Sequence, residues 1–217
     1  MKHRLDDISL CVLVHGGDHP VAFDRLVTRL FGAGVRMLQI RDKELSNDEL
    51  AARVQAAMAI ARSVDPVRPM LVIVNDRVAV AAQVGADGVH VGMSDMPVAE
   101  ARRVLGGDAI IGRTAHSIHE ARQAVADGAD YLGVGPCFPS TTKSFAAHAP
   151  RAFLAEAAKL PLPVFAIGGI TVNRVAVLRS LGIKRVAVAA AIASAEDPEV
   201  AASRMLEALE LRDGGQR

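Results

Sequence analysis

Aromatic side chains are scarce: one Tyr, six Phe and no Trp make up 3% of the 217 residues. Few rings are therefore available as platforms on which single-stranded bases could stack. An excess of one charge is also missing, with 25 Lys and Arg against 24 Asp and Glu and an isoelectric point near 7.9. No global field draws such a chain to nucleic acid or anionic lipid, and no nucleic-acid partner is expected. Long apolar runs are absent: nothing approaches the roughly 18 residues of a membrane span. In the opening "MKHRLDDISLCVLVHGG", Asp6 and Asp7 interrupt the basic residues, and the apolar run from Ile8 to Val14 is too short for a secretory leader. The expectation is a cytoplasmic protein with no membrane partner. Only two cysteines occur, Cys11 and Cys137, far apart in apolar stretches; in a reducing compartment they read as packed thiols. His3, His15, His19, His119 and His148 show no paired metal-ligand spacing, so zinc is not supported.

What the chain does have is 51% hydrophobic residues, enough for one large core, and we expect a single domain over residues 1–217. Short β-branched runs alternate with amphipathic segments from end to end. The runs are "SLCVLVH", "RMLQIR", "MLVIVN", "GVHVG", "AIIGRT", "DYLGVG", "PVFAIGG" and "RVAVAA". Between them lie helical stretches such as "SNDELAARVQAAMAIARS", with a capping box at Ser46 and Glu49, and "SIHEARQAVADGA", with another expected at Ser117 and Glu120. Eight such units predict an α/β fold of one kind, the single (β/α)8 TIM barrel.

A barrel gives meaning to "LQIRDK", where Gln39, Arg41 and Lys43 alternate with Leu38 and Ile40. Alternate residues of a barrel strand point inward, so these three should face the interior at the C-terminal rim, where barrel active sites lie. Other strands end in comparable residues: Asn75 and Asp76 after strand 3, Asp95 after strand 4, Thr114 and His116 after strand 5. "GPCFPSTTKS" after strand 6 carries Ser140, Thr141, Thr142 and Lys143, a short loop suited to closing over phosphate. Taken singly, Asp76 could cap the next helix, Asp95 could serve the turn before Pro97, and His116 could plug the rim. His90, inside strand 4, reads as a structural histidine. Jointly, two carboxylates beside Arg41 and Lys43 suit Mg²⁺ and a polyphosphate, because Mg²⁺ needs only one or two carboxylates when substrate oxygens complete its shell. "IGGIT" brings Gly168 and Gly169 to the end of strand 7, with Thr171 as an expected helix cap, where backbone N–H groups can receive a phosphate. No nucleophile elbow, Ser–His–Asp set or dinucleotide fingerprint appears.

The motifs "LQIRDK", "VNDRVAVA", "GADGVHVG" followed by Asp95, "GRTAHS", "GADYLGVGPCFPSTTK" and "AIGGIT" together resemble the thiamine phosphate synthase and thiazole tautomerase family, over nearly the whole chain. The resemblance implies a transferase of thiamine biosynthesis with small-molecule substrates. It would move a hydroxymethylpyrimidine group from its diphosphate to the ring nitrogen of a thiazole phosphate, releasing thiamine monophosphate and diphosphate. On matching positions, Arg41, Lys43 and Lys143 would act on the diphosphate and Asp76 and Asp95 would hold Mg²⁺. Gln39 and Thr114 would face the pyrimidine, Asn75 and Thr142 would complete the diphosphate shell with Ser140 on the same loop, and Gly168 and Gly169 would receive the thiazole phosphate. His116 matches the proton-transfer histidine of the tautomerase branch. Met93 and Ser94 stand where the synthase pattern often has Gln-Glu, and Ala190, at a substrate-binding position, stands where it often has Ser.

Alternatives from the sequence are a tautomerase-like isomerase, a Schiff-base enzyme using Lys143, and a non-catalytic binding paralogue. Asp76, Asp95 and "TTK" favour the synthase, since they serve a metal-bound diphosphate. A homodimer is compatible with the sequence, which sets no oligomeric state.

Overall fold

The computed structural model describes residues 5–17, 19–67, 70–139 and 148–210. Its eight strands close in sequence order into a parallel barrel, the last pairing with the first. They are β1 (Leu10–Val14), β2 (Met37–Ile40), β3 (Leu71–Asn75), β4 (Gly88–Val91), β5 (Ile110–Ala115), β6 (Tyr131–Val134), β7 (Val164–Ile167) and β8 (Arg185–Val188). Each falls within one of the β-branched runs, save that β5 continues one residue past its run to Ala115, so the expected (β/α)8 architecture is the observed one. Helices α1 (Pro20–Gly32), α2 (Asn47–Val64), α3 (Val78–Val84), α4 (Val98–Leu105), α5 (Ile118–Ala126), α6 (Arg151–Ala157), α7 (Val175–Ser180), α8 (Ala190–Ala193) and α9 (Pro198–Glu210) make the outer layer.

Two cores follow from the strand period. Outward residues such as Leu38, Val72, Val89 and Ile111 pack against the helices. Inward residues, among them Cys11, Met37, Leu71, Ile73, Ile110 and Phe165, fill the lower barrel. Cys11 and Cys137 are free and buried, and burial pushes both thiols up to about 12; they are packed thiols, as expected. Among the described residues, no helix is long and apolar enough to cross a membrane.

The capping chemistry is more varied than the pattern suggests. Ser46 and Glu49 form the full reciprocal box at the start of α2. Ser117 accepts from Glu120 N at 3.2 Å, but the Glu120 carboxylate turns to His116 N at 2.6 Å. The second box is therefore displaced by one residue and ties down the backbone of His116. Thr171 precedes a 3₁₀ turn, Val172–Arg174, and makes no side-chain capping bond. Asp76 caps nothing either: Arg77 is the N-cap of α3.

Higher in the barrel, glycine makes room for rings. A Cβ at Gly112 would lie 2.1 Å from Tyr131 Cζ and 2.5 Å from His90 Nδ1, and one at Gly133 would lie 3.1 Å from His90 Cε1. The imidazole and phenol rings, with centroids 5.3 Å apart, occupy the space those side chains would take. Gly112→Ala should therefore lower stability by about 1–3 kcal/mol through overpacking, a fall in Tm of roughly 2–12 °C for a chain of this size. Thermal denaturation checks this, and an unchanged Tm would contradict the packing.

Candidate active site

At the C-terminal ends of the strands the barrel opens into a cavity of about 910 Å³. Gln39, Arg41, Lys43, Asn75, Asp76, Asp95, Thr114, His116, Gly168, Gly169 and Ala190 all line it. Ser140, Thr142 and Lys143 lie outside the described residues. The alternation in "LQIRDK" holds as expected, although β2 ends at Ile40, so Arg41 and Lys43 continue the inward face from the loop beyond it. Gln39 is buried, Arg41 half-buried and Lys43 exposed.

Neighbouring features hold this loop still. Asp42, on the opposite face of the motif, accepts from Glu44 N at 2.9 Å and Leu45 N at 3.0 Å. Burial works against these bonds, but with Gly17 N also donating and His15 nearby the net effect is a carboxyl below its usual range. Arg77 reaches the carbonyls of Leu45 at 2.5 Å and Asp42 at 3.3 Å. The chain carrying Arg41 and Lys43 is thus anchored through its backbone, and their side chains stay available.

Asp76 has φ 61°, in the left-handed region where Asp and Asn are among the few non-glycine residues tolerated. That turn follows a bond from its N–H to the His90 carbonyl at 2.8 Å and places its carboxyl against that of Asp95. Burial, then the hydrogen bond and charge of Asp95, push the Asp76 carboxyl up to about 6, with Arg41 opposing. Asp95 Oδ2 also accepts from Gly92 N at 2.7 Å, so it serves its own loop as well as the pair. Arg113 steadies that loop through the carbonyls of Met96 at 3.5 Å and Met93 at 3.4 Å. Two facing carboxyl groups are a place for a cation, and hard oxygen donors with room beside them fit Mg²⁺. Among the described residues no group of three or more His, Cys, Asp or Glu side chains gathers to hold a metal, so Asp76 and Asp95 stand as a pair.

Across the cavity, Gly168 and Gly169 have φ 88° and 64°. A Cβ at Gly169 would meet the Pro139 and Phe138 carbonyl oxygens at 2.4 and 2.5 Å. Both positions therefore require glycine. Arg174 braces the same turn: it donates to the carbonyls of Gly169 and Pro139 and lies 5.0 Å over the Phe138 ring. His116 Nδ1 donates to the Gly135 carbonyl at 2.6 Å, leaving Nε2 as the ring nitrogen for a substrate. Ala190 begins the four-residue helix α8 and brings no hydroxyl to the wall.

Tyr131 and His90 also line the cavity. Pattern alone reads His90 as a structural histidine and gives Tyr131 no role. The histidine is satisfied on both nitrogens, by Tyr131 Oη at 3.0 Å and Thr114 Oγ1 at 2.8 Å, but it does so at the floor of the site. The signal that could have found them is their register: His90 and Tyr131 both pair with Gly112.

The fold and rim define a (β/α)8-barrel protein with one cavity at the C-terminal ends of its strands, bordered by Arg41, Lys43 and the Asp76–Asp95 pair and by the Gly168 and Gly169 turn. The family described as thiamine monophosphate synthase matches residues 10–192, and the chain belongs to it. A thiamine-phosphate synthase of Anaeromyxobacter dehalogenans is 44% identical, covering 93% of this chain and 88% of that protein. One of a Synechococcus species is 40% identical over 96% of this chain, which spans only 59% of that relative's length. A solved thiamine phosphate pyrophosphorylase from Pyrococcus furiosus superposes with a TM-score of 0.80 at 29% identity, covering 96% of this chain and 97% of that one.

The carboxylate pair sets a pH dependence of stability. Asp76 moves from its ordinary 3.8 to about 6, so the folded state holds that proton more tightly than the unfolded state. Stability is then lost as pH rises from about 4 to about 6, and the loss is complete above that. In metal-free protein Asp76→Asn, which keeps the left-handed turn, should raise stability near pH 8 by about 1–2 kcal/mol after allowance for half-exposure. The gain should be smaller near pH 4.5. Urea unfolding at both pH values with chelator present measures this; a gain independent of pH would show that the Asp76 carboxyl is not raised in the folded state.

Proposed function

We propose that the chain is a thiamine phosphate synthase, joining hydroxymethylpyrimidine diphosphate to hydroxyethylthiazole phosphate. The observation that carries this is the Asp76 and Asp95 pair beside Arg41 and Lys43, on a cavity whose far wall is the Gly168 and Gly169 turn. Family membership and the similar proteins' names support it.

In this reading Asp76 and Asp95 hold Mg²⁺, which when bound neutralises charge on the diphosphate. Arg41, Lys43 and Asn75 bind the diphosphate, with Ser140, Thr142 and Lys143 from the stretch that follows β6 in sequence. Gln39 and Thr114 face the pyrimidine. The bond between the pyrimidine methylene carbon and the diphosphate oxygen breaks, and its electron pair leaves on that oxygen. The thiazole nitrogen then donates its lone pair to the methylene carbon. That nitrogen carries no proton, so no general base is required. The protein's main task is to stabilise the departing negative charge, which preorganised cations do well.

Incubation with both substrates and Mg²⁺ should give thiamine monophosphate, detected chromatographically, and excess chelator should abolish it. No product under these conditions would overturn the proposal. Arg41→Ala should weaken use of the pyrimidine diphosphate by about 10- to 100-fold in kcat/KM, the scale of one charge-assisted hydrogen bond; an unchanged value would remove Arg41 from the site.

One observation favours a second reading, a tautomerase-like isomerase: the His116 ring, anchored through Nδ1, presents Nε2 for proton transfer. His116→Ala separates the two. A synthase should keep its rate within about 10-fold, since an ionic substitution asks little of a base; loss of an isomerisation of thiazole carboxylate phosphate, with no synthase activity in the parent protein, would select the isomerase.

A further inference from the structure

Three successive carbonyls at the end of β7 each have a donor on the same side of the chain. Cys137 N donates to the Ile167 carbonyl at 2.8 Å and Phe138 N to the Gly168 carbonyl at 3.1 Å. The third, on Gly169, accepts from Arg174 Nη1, which also donates to the Pro139 carbonyl at 3.2 Å. The Phe138 ring, 5.0 Å from the guanidinium, holds it over this turn. A peptide unit is planar and trans, so its N–H points opposite to its C=O. Fixing the Gly168 and Gly169 carbonyls toward Phe138 and Arg174 therefore fixes the N–H groups of Gly169 and Ile170 on the other side. Neither N–H has a hydrogen-bond partner among the described residues, although Ile170 is buried. Both residues line the cavity, and an unpaired backbone donor at a buried position calls for a partner such as a ligand.

We infer that Arg174 is a positioning residue for the phosphate of the thiazole substrate: it holds the Gly169 carbonyl back, so that the Gly169 and Ile170 N–H groups stand as a donor pair toward the cavity. Successive N–H groups in a turn of this kind, with φ 88° at Gly168 and 64° at Gly169, make a concave nest for an anion oxygen. Released from Arg174, the peptide between Gly169 and Ile170 is free to flip, because glycine resists little. The flip sets a carbonyl oxygen against the phosphate. The arginine charge also acts through the peptide, since a cation at the carbonyl end polarises the unit and strengthens its N–H as a donor. This assignment rests on the pyrimidine-transfer reading only for the identity of the anion.

Amide ¹H–¹⁵N spectra of the ligand-free full chain, titrated with hydroxyethylthiazole phosphate and separately with inorganic phosphate, read the donors directly. The Gly169 and Ile170 amide protons should move downfield with both, and unphosphorylated hydroxyethylthiazole should leave them in place. Arg174→Met keeps an apolar stem against Phe138 and should weaken binding of the thiazole phosphate by about 10- to 100-fold, the scale of one charge-assisted hydrogen bond. No shift at these two amides, or equal affinity in parent and variant, overturns the inference. Kinetics add a readout that a general loss of structure would not give. Arg174→Met should raise KM for the thiazole phosphate, with kcat and the KM for the pyrimidine diphosphate held within about 3-fold, because that phosphate carries the same charge throughout. A fall in kcat with the thiazole phosphate KM unchanged overturns it. If Arg174→Met does not fold, the titration of the parent chain decides. If the parent forms no thiamine monophosphate, the proposed function fails separately, and the inorganic phosphate titration still decides whether the two amides take an anion.

Discussion

Closing eight parallel strands on themselves sends every second side chain into one shared interior, and that interior must be filled at one end and opened at the other. Low in the barrel the solution is apolar, with Met37, Leu71 and Ile110 in contact. Higher up, the lining turns polar before it reaches water, and each unpaired polar group there would cost about 1–3 kcal/mol. Tyr131, His90 and Thr114 avoid that by bonding to one another, in space left by Gly112 and Gly133. Because the floor satisfies itself, nothing there needs a rim residue as a partner. Arg41 and Lys43 can face the cavity for a ligand's use.

The rim itself is built against stability in two places. Asp76 takes a left-handed backbone and faces a second carboxylate; left without a cation or a proton, the pair repels. Gly168 and Gly169 are also left-handed, folded so closely against residues 136–139 that no side chain fits at either. Neither arrangement would be selected by packing alone, and each is held by a neighbouring arginine. Arg113 steadies the Asp95 loop, and Arg174 braces the glycine turn. Strain that the surroundings must maintain is characteristic of functional positions.

How far the sequence revealed this follows from the range of each interaction. All eight strands were legible because hydrophobic period is local, and the inward set Gln39, Arg41, Lys43 was legible because barrel geometry converts period into direction. The pairing of Asp76 with Asp95 was suggested by their places at adjacent strand ends. Specific roles came from family resemblance, since no spacing says which cation meets which oxygen. What stayed hidden depends on register: His90 and Tyr131 are 41 residues apart and meet only because both strands align on Gly112. Ser117 and Glu120 matched a capping box by spacing, yet Glu120 bonds to His116 N instead. A rotamer choice of that kind lies below what a pattern of residue types can resolve.

The two walls of the cavity differ in chemistry, and the proposed reaction gives each a use. On the Asp76 side stand full charges, Arg41 and Lys43, with a carboxylate pair suited to a divalent cation. On the Gly168 side stand close-set backbone and a buttressing arginine. During pyrimidine transfer only the diphosphate gains negative charge; the thiazole phosphate keeps the same charge from start to finish. Interactions that strengthen as the bond breaks raise the rate, while those equal in ground and transition states only hold the substrate. Cations are therefore most effective at the diphosphate wall, and a fixed, uncharged backbone cradle is sufficient at the other.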